Sequence, residues 1–133
     1  LVLQPDGDLE QLEAWERVSP ELVELANDYG VNVHLTISCF DPEVFEKVLP
    51  DRGLRLHVVR RLGRLVEAAG AHGVNVDFER LPGALADEFV SFVEELSREV
   101  EEVVVATPTV DLFFAKLVGV GPLQHLEKGT NIH

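Results

Sequence analysis

The chain carries a single cysteine, Cys39, in 133 residues. No internal disulfide can form, so packing and hydrogen bonds must hold the fold. Methionine is absent altogether; a translation start ordinarily leaves one, so the beginning reads as an incomplete N-terminus. No apolar run approaches the ~20 residues needed to cross a bilayer, and no secretory leader is visible. With the start open, the compartment is undetermined. Positive charge is scarce: 11 Lys+Arg against 24 Asp+Glu give a formal net charge of -13. That balance excludes nucleic acid and anionic membrane as natural partners, since phosphates would be repelled; otherwise it serves solubility. A glycine-rich phosphate loop after a strand, the mark of a nucleotide-binding α/β domain, is missing too.

What is present is organised around Gly73-Val74-Asn75-Val76-Asp77-Phe78-Glu79. Apolar and polar residues alternate with period two, as in a strand. Val74, Val76 and Phe78 fall on one face, and Asn75, Asp77 and Glu79 on the other. The apolar face can bury against helices; the polar face must meet solvent, a ligand or other polar groups. Residues 31–38 repeat this pattern, with Asn32, His34, Thr36 and Ser38 opposite Val31, Val33, Leu35 and Ile37.

Residues 1–3 read as the end of a strand before a turn at Pro5-Asp6-Gly7-Asp8. A short helix is expected over 9–17, and a second begins at Ser19-Pro20-Glu21, with serine as cap and proline in the first turn, ending at Gly30. Asp41-Pro42-Glu43 opens another short helix by the same logic. A longer one spans 52–69, with Arg60, Arg61 and Arg64 towards solvent and Gly70 as its stop. After the central strand, a loop at 80–83 leads into a helix over about 84–100. The wholly apolar 103–107 reads as a buried strand ended by Pro108. Strands alternate with helices, and the connections are too long for hairpins. That order requires right-handed crossovers and a parallel sheet, an α/β fold. Residues 111–118 could form a helix, and beyond them no pattern holds.

Asp77 and Glu79 share a strand face, with Cα atoms roughly 6.5–7 Å apart. Like charges at that range raise the proton affinity of one of the pair, which suits a group that must deliver a proton to a leaving oxygen. Plainer roles stand beside this one. Glu79 could form a structural ion pair with Arg80 or a cation on a neighbouring strand. Asn75 could satisfy backbone groups only. His34 and His72 read as ordinary polar residues, without partners at metal-ligand spacing. Cys39 reads as a small buried hydrophobe, and Trp15 as packing rather than a sugar platform.

Gly73–Glu79, between a helix that ends in glycine and a loop that opens another helix, resembles the signature of family-18 glycoside hydrolases. That family is chitinase-like and includes spore-cortex and peptidoglycan hydrolases. Its motif, Asp-Gly-x-Asp-x-Asp-x-Glu, lies on the fourth strand of a (β/α)8 TIM barrel. Glu79 matches the catalytic acid, Asp77 the carboxylate beside it, Asn75 the preceding position in its amide form and Gly73 the glycine. His72 replaces the first aspartate, and Ser38-Cys39-Phe40 departs from the Ser-x-Gly-Gly usual after the third strand.

The resemblance implies a parallel βαβαβ segment of the barrel, about strands 2–5, over residues 1–109, followed by a divergent, poorly ordered tail over 110–133. It implies substrate-assisted retaining hydrolysis of β-linked N-acetylhexosamine polymers, chitin or peptidoglycan. The sugar's own acetamide oxygen attacks, Glu79 is the general acid, Asp77 orients the acetamide, and Asn75 supports Asp77 by a hydrogen bond. No metal or cofactor is required, and family members are secreted or act at the cell envelope. A complete barrel takes about 250 residues, so this length predicts an incomplete one. Open sheet edges are then a route to self-association, and an inactive fragment or a carbohydrate-binding or assembly module is the alternative to an enzyme.

Overall fold

The computed structural model describes residues 1–106 and the backbone of Asn131–Ile132. The expected helix over 111–118 and the end of the strand at Thr107-Pro108 lie outside the described residues, as does all but that dipeptide of the tail. The order is β1 (Val2–Leu3), β2 (Leu9–Glu10), α1 (Leu12–Tyr29), β3 (His34–Cys39), α2 (Pro42–Val48) and α3 (Arg52–Ala69), then β4 (Gly73–Phe78), a 3-10 turn (Gly83–Leu85), α4 (Ala86–Glu99), β5 (Glu102–Ala106) and β6 (Asn131–Ile132). The strands form one sheet in the order β2-β1-β3-β4-β5-β6. Its centre, β1-β3-β4-β5, is parallel, while β2 and β6 pair antiparallel at the edges.

Most helix boundaries follow the expected chemistry. Asp41 accepts from Glu43 N–H at 3.0 Å and Asp51 from Leu54 N–H at 3.1 Å, each satisfying a free donor of a first turn. Gly30 and Gly70 close their helices in the left-handed region, at φ 67° and 69°.

The first helix differs from the expectation. Residues 9–10 are a strand, and α1 runs unbroken through Pro20. Ser19 does not cap a helix; it is buried, as are Val23 and Ala26. With the half-buried Trp15 these form one stripe at helical spacing, and burying it outweighs the ~3 kcal/mol that an internal proline typically costs. Tertiary packing overrides the local signal for a new helix start.

The apolar faces of the strands meet the helices in one core. Leu35, Ile37, Val74, Val76, Val103 and Val105 are almost fully buried. Phe78 sits at its centre, its ring centroid 5.1 Å from that of Phe45, 5.5 Å from Phe92 and 5.9 Å from Phe89. The run around β5 is not buried on both faces as its composition suggests: Val104 and Ala106 are only half-buried. Arg55 joins α3 to α4 through Glu95 at 2.8 Å.

Candidate functional site

Pairing of β3 with β4 is in register from His34↔Gly73 to Cys39↔Phe78, and β5 continues it from Gly73↔Glu102 to Asp77↔Ala106. Residues facing away from the helices therefore form rows across the strands: His34, Gly73 and Glu102; then Thr36, Asn75 and Val104; then Ser38, Asp77 and Ala106. The polar stripe read along one strand is thus part of a two-dimensional face.

At the carboxyl end, Glu79 N–H donates to Cys39 C=O at 2.8 Å, carrying the β3–β4 pairing one step past the strands. Arg80 then takes φ 58°, a left-handed turn uncommon for a residue with a side chain. The turn returns the chain to the core at Leu81 and leaves Glu79 at the rim, exposed, with Asp77 half-buried below it. Among the described residues neither carboxylate has a hydrogen-bond or ion-pair partner, so the structural pairing considered for Glu79 is not formed there. Asn75 donates to Thr36 Oγ1 at 3.2 Å, across to β3, rather than to Asp77. The Ser38 hydroxyl donates to Leu1 C=O at 3.2 Å.

One residue at this rim was missed in the sequence reading. Phe40 lies one residue past the end of β3, next to Cys39, whose carbonyl accepts Glu79 N–H, and is 59% exposed. The other described phenylalanines, Phe45, Phe78, Phe89 and Phe92, are buried. The signal was available: period two puts residue 40 on the same face as Thr36 and Ser38. Cys39 is buried as expected, and loss of hydration pushes its thiol pKa up. Trp15 packs against the core, as expected.

The amino ends of the strands are built differently. His34 Nε2 lies 2.5 Å from Glu102 Oε2, spanning β4, and Asn32 Nδ2 donates to Glu102 Oε1 at 2.6 Å. They meet over Gly73, where a Cβ would lie 2.1 Å from Glu102 O and 2.7 Å from Glu102 Cβ. Glycine is required there by close approach, which is the physical content of that motif position. His72 is likewise partnered: its Nδ1 accepts Val33 N–H at 3.0 Å and its own N–H donates to Val33 C=O at 2.9 Å. No grouping of three metal-ligating side chains occurs among the described residues, and no described helix is long and apolar enough to cross a membrane.

A parallel βαβαβ sheet with helices on one face, a polar opposite face and carboxylates at the carboxyl rim has the fold of a section of a (β/α)8 barrel, and the solved structures it resembles are barrels of chitinases and a glycosylase. Comparison of sequences alone finds no match to a family model or to a curated protein; the likeness is three-dimensional. A class V chitinase from Pseudomonas fluorescens Pf-5 superposes with TM-score 0.70 at 24% identity, over 80% of this chain and 35% of that one. A Bacillus subtilis protein assigned as a sporulation-specific glycosylase gives 0.68 at 25%, over 80% and 36%. A Bacteroides thetaiotaomicron chitinase gives 0.64 at 14%, over 79% and 34%. The chain thus spans about a third of the length of each structure it resembles.

Proposed function

We propose that this chain supplies the acid-bearing section of a glycoside hydrolase acting on β-linked N-acetylhexosamine polymers, chitin or peptidoglycan. The observation that carries this reading is the place of Glu79. It is exposed at the carboxyl rim of a chitinase-like sheet, one strand-pairing step from the exposed Phe40, and its carboxylate has no hydrogen-bond or ion-pair partner among the described residues.

Glu79 is the general acid, handing its proton to the leaving glycosidic oxygen. Asp77, one step deeper on the same face, orients the acetamide of the reacting sugar and stabilises the positive charge that develops as its oxygen attacks the anomeric carbon. The Asn75 amide, anchored on Thr36, holds the row beneath Asp77. No metal enters these steps. Phe40 offers an apolar surface at the same rim, suited to the C–H face of a pyranose ring.

The test is turnover of an N-acetylglucosamine oligomer bearing a chromogenic leaving group, by wild type and by Glu79→Gln. Loss of about 100-fold or more in rate is expected of a general acid. Equal rates would remove Glu79 from the mechanism. Binding by wild type without turnover would support the second reading, a carbohydrate-binding module, which the open polar face of the sheet favours.

A further inference from the structure

The parallel section β1-β3-β4-β5 has two edges, and along each a short strand of the same chain runs in the opposite direction. β2 meets β1 through Val2↔Glu10 and Leu3↔Leu9, and β6 meets β5 through Val103↔Ile132 and Val104↔Asn131. In a (β/α)8 barrel every neighbour is parallel, so neither reversed strand stands in for a further strand of the barrel. Both are two residues long. An edge strand that short satisfies its neighbour yet offers almost no ladder of its own to a further strand, one way in which proteins blunt a sheet edge.

The two edges differ in what they would expose. β2 is fixed by its turn: Gln4 N–H donates to Asp8 C=O at 2.9 Å, Gly7 N–H donates to Gln4 C=O at 3.0 Å, and Asp8 pairs with Arg61. The exposed Glu10 adds a charge at that edge. β5 has no such protection in its own residues. Val103-Val104-Val105 is β-branched throughout, and the one charged residue of the strand, Glu102, is engaged by His34 and Asn32. Left uncovered, a run of this kind pairs with its equivalent in a second copy across a two-fold axis.

We propose that β6 is an edge guard: residues 131–132 of this same polypeptide hold the backbone of Val103 and Val104 and keep β5 from pairing with β5 of a second copy. Guard and second copy compete for the same N–H and C=O groups, so only one can be seated. The guard acts whether or not Glu79 is an acid in catalysis.

Asn131→Pro/Ile132→Pro in the full chain tests this, because proline has no N–H to pair. Amide hydrogen exchange across Val103–Val105 and sedimentation over a range of concentrations are the readouts. In wild type, the amides there that point away from β4 are expected to exchange about tenfold or more slowly than in the dilute proline variant, and the chain to stay monomeric. The variant is expected to form concentration-dependent dimers with unchanged circular dichroism, and to regain protection as they form. Asn131→Ala/Ile132→Val keeps both backbone donors and should behave as wild type. Should the prolines impair folding, removal of residues 131–133 carries the same expectation. Exchange at these wild-type amides as fast as in an unpaired peptide overturns the proposal without any variant. A folded proline or truncated variant that stays monomeric at every concentration overturns it too, as does wild type that dimerises as readily as the variant.

Discussion

At the amino ends of β3, β4 and β5, polar side chains are spent on one another. At the carboxyl ends of the same strands they are left open. Asn32, His34 and Glu102 form a bridge over Gly73, and His72 engages both backbone groups of Val33. Four to six residues further along the strands, Asp77 and Glu79 have no partner among the described residues and Phe40 is exposed. The strands are shared and the core beneath them is continuous, so the contrast is one of role. The amino end holds the strands in register and the carboxyl end leaves its groups open, matching the division of (β/α)8 barrels into a stability face and a face that carries active sites.

The contrast can be broken from either end. Gly73→Ala should do the most damage. Its Cβ would meet the Glu102 backbone at 2.1 Å, which no rotamer change relieves, so a loss of about 3 kcal/mol or more in urea unfolding is expected. A variant as stable as wild type would mean that β4 and β5 separate at little cost. Next comes the bridge itself. Replacing His34 and Glu102 by alanine, singly and together, should give a coupling of about 1 kcal/mol in a double-mutant cycle, limited because both side chains are about one-fifth exposed. Additive effects would reduce the bridge to a coincidence of surface charges. The smallest effect is reserved for the rim: Glu79→Gln and Phe40→Ala should each change stability by less than about 0.5 kcal/mol while weakening binding of an N-acetylglucosamine oligomer. A large loss of stability from either would mark it as structural and erase the distinction between the ends.

Much of this was legible in the residues. Alternation along 73–79 and 31–38 placed two strands and their faces, because the side-chain period of a strand is a covalent fact. Asp41, Gly30 and Gly70 marked helix ends by chemistry that acts within a few residues. What escaped depended on distant partners. Pro20 argued for a helix start until Trp15, Ser19, Val23 and Ala26 had a common surface to bury against. Val104 and Ala106 appeared as core because composition cannot say which face of a sheet is covered. His34 and His72 read as ordinary polar residues, and the partners they meet, Glu102 and Val33, lie 68 and 39 residues away, beyond any local pattern.

The sequence by itself determined the alternating strands, their order between helices, the row of Asn75, Asp77 and Glu79 and the excess of negative charge, all properties of neighbours in the chain. Only the tertiary structure decided which rows meet across strands, that Gly73 must lack a side chain, that Phe40 is exposed at the rim that carries Glu79 and that β6 pairs with the edge of β5. Those outcomes turn on strand register and packing between residues far apart in sequence, and no local pattern encodes a distance between them.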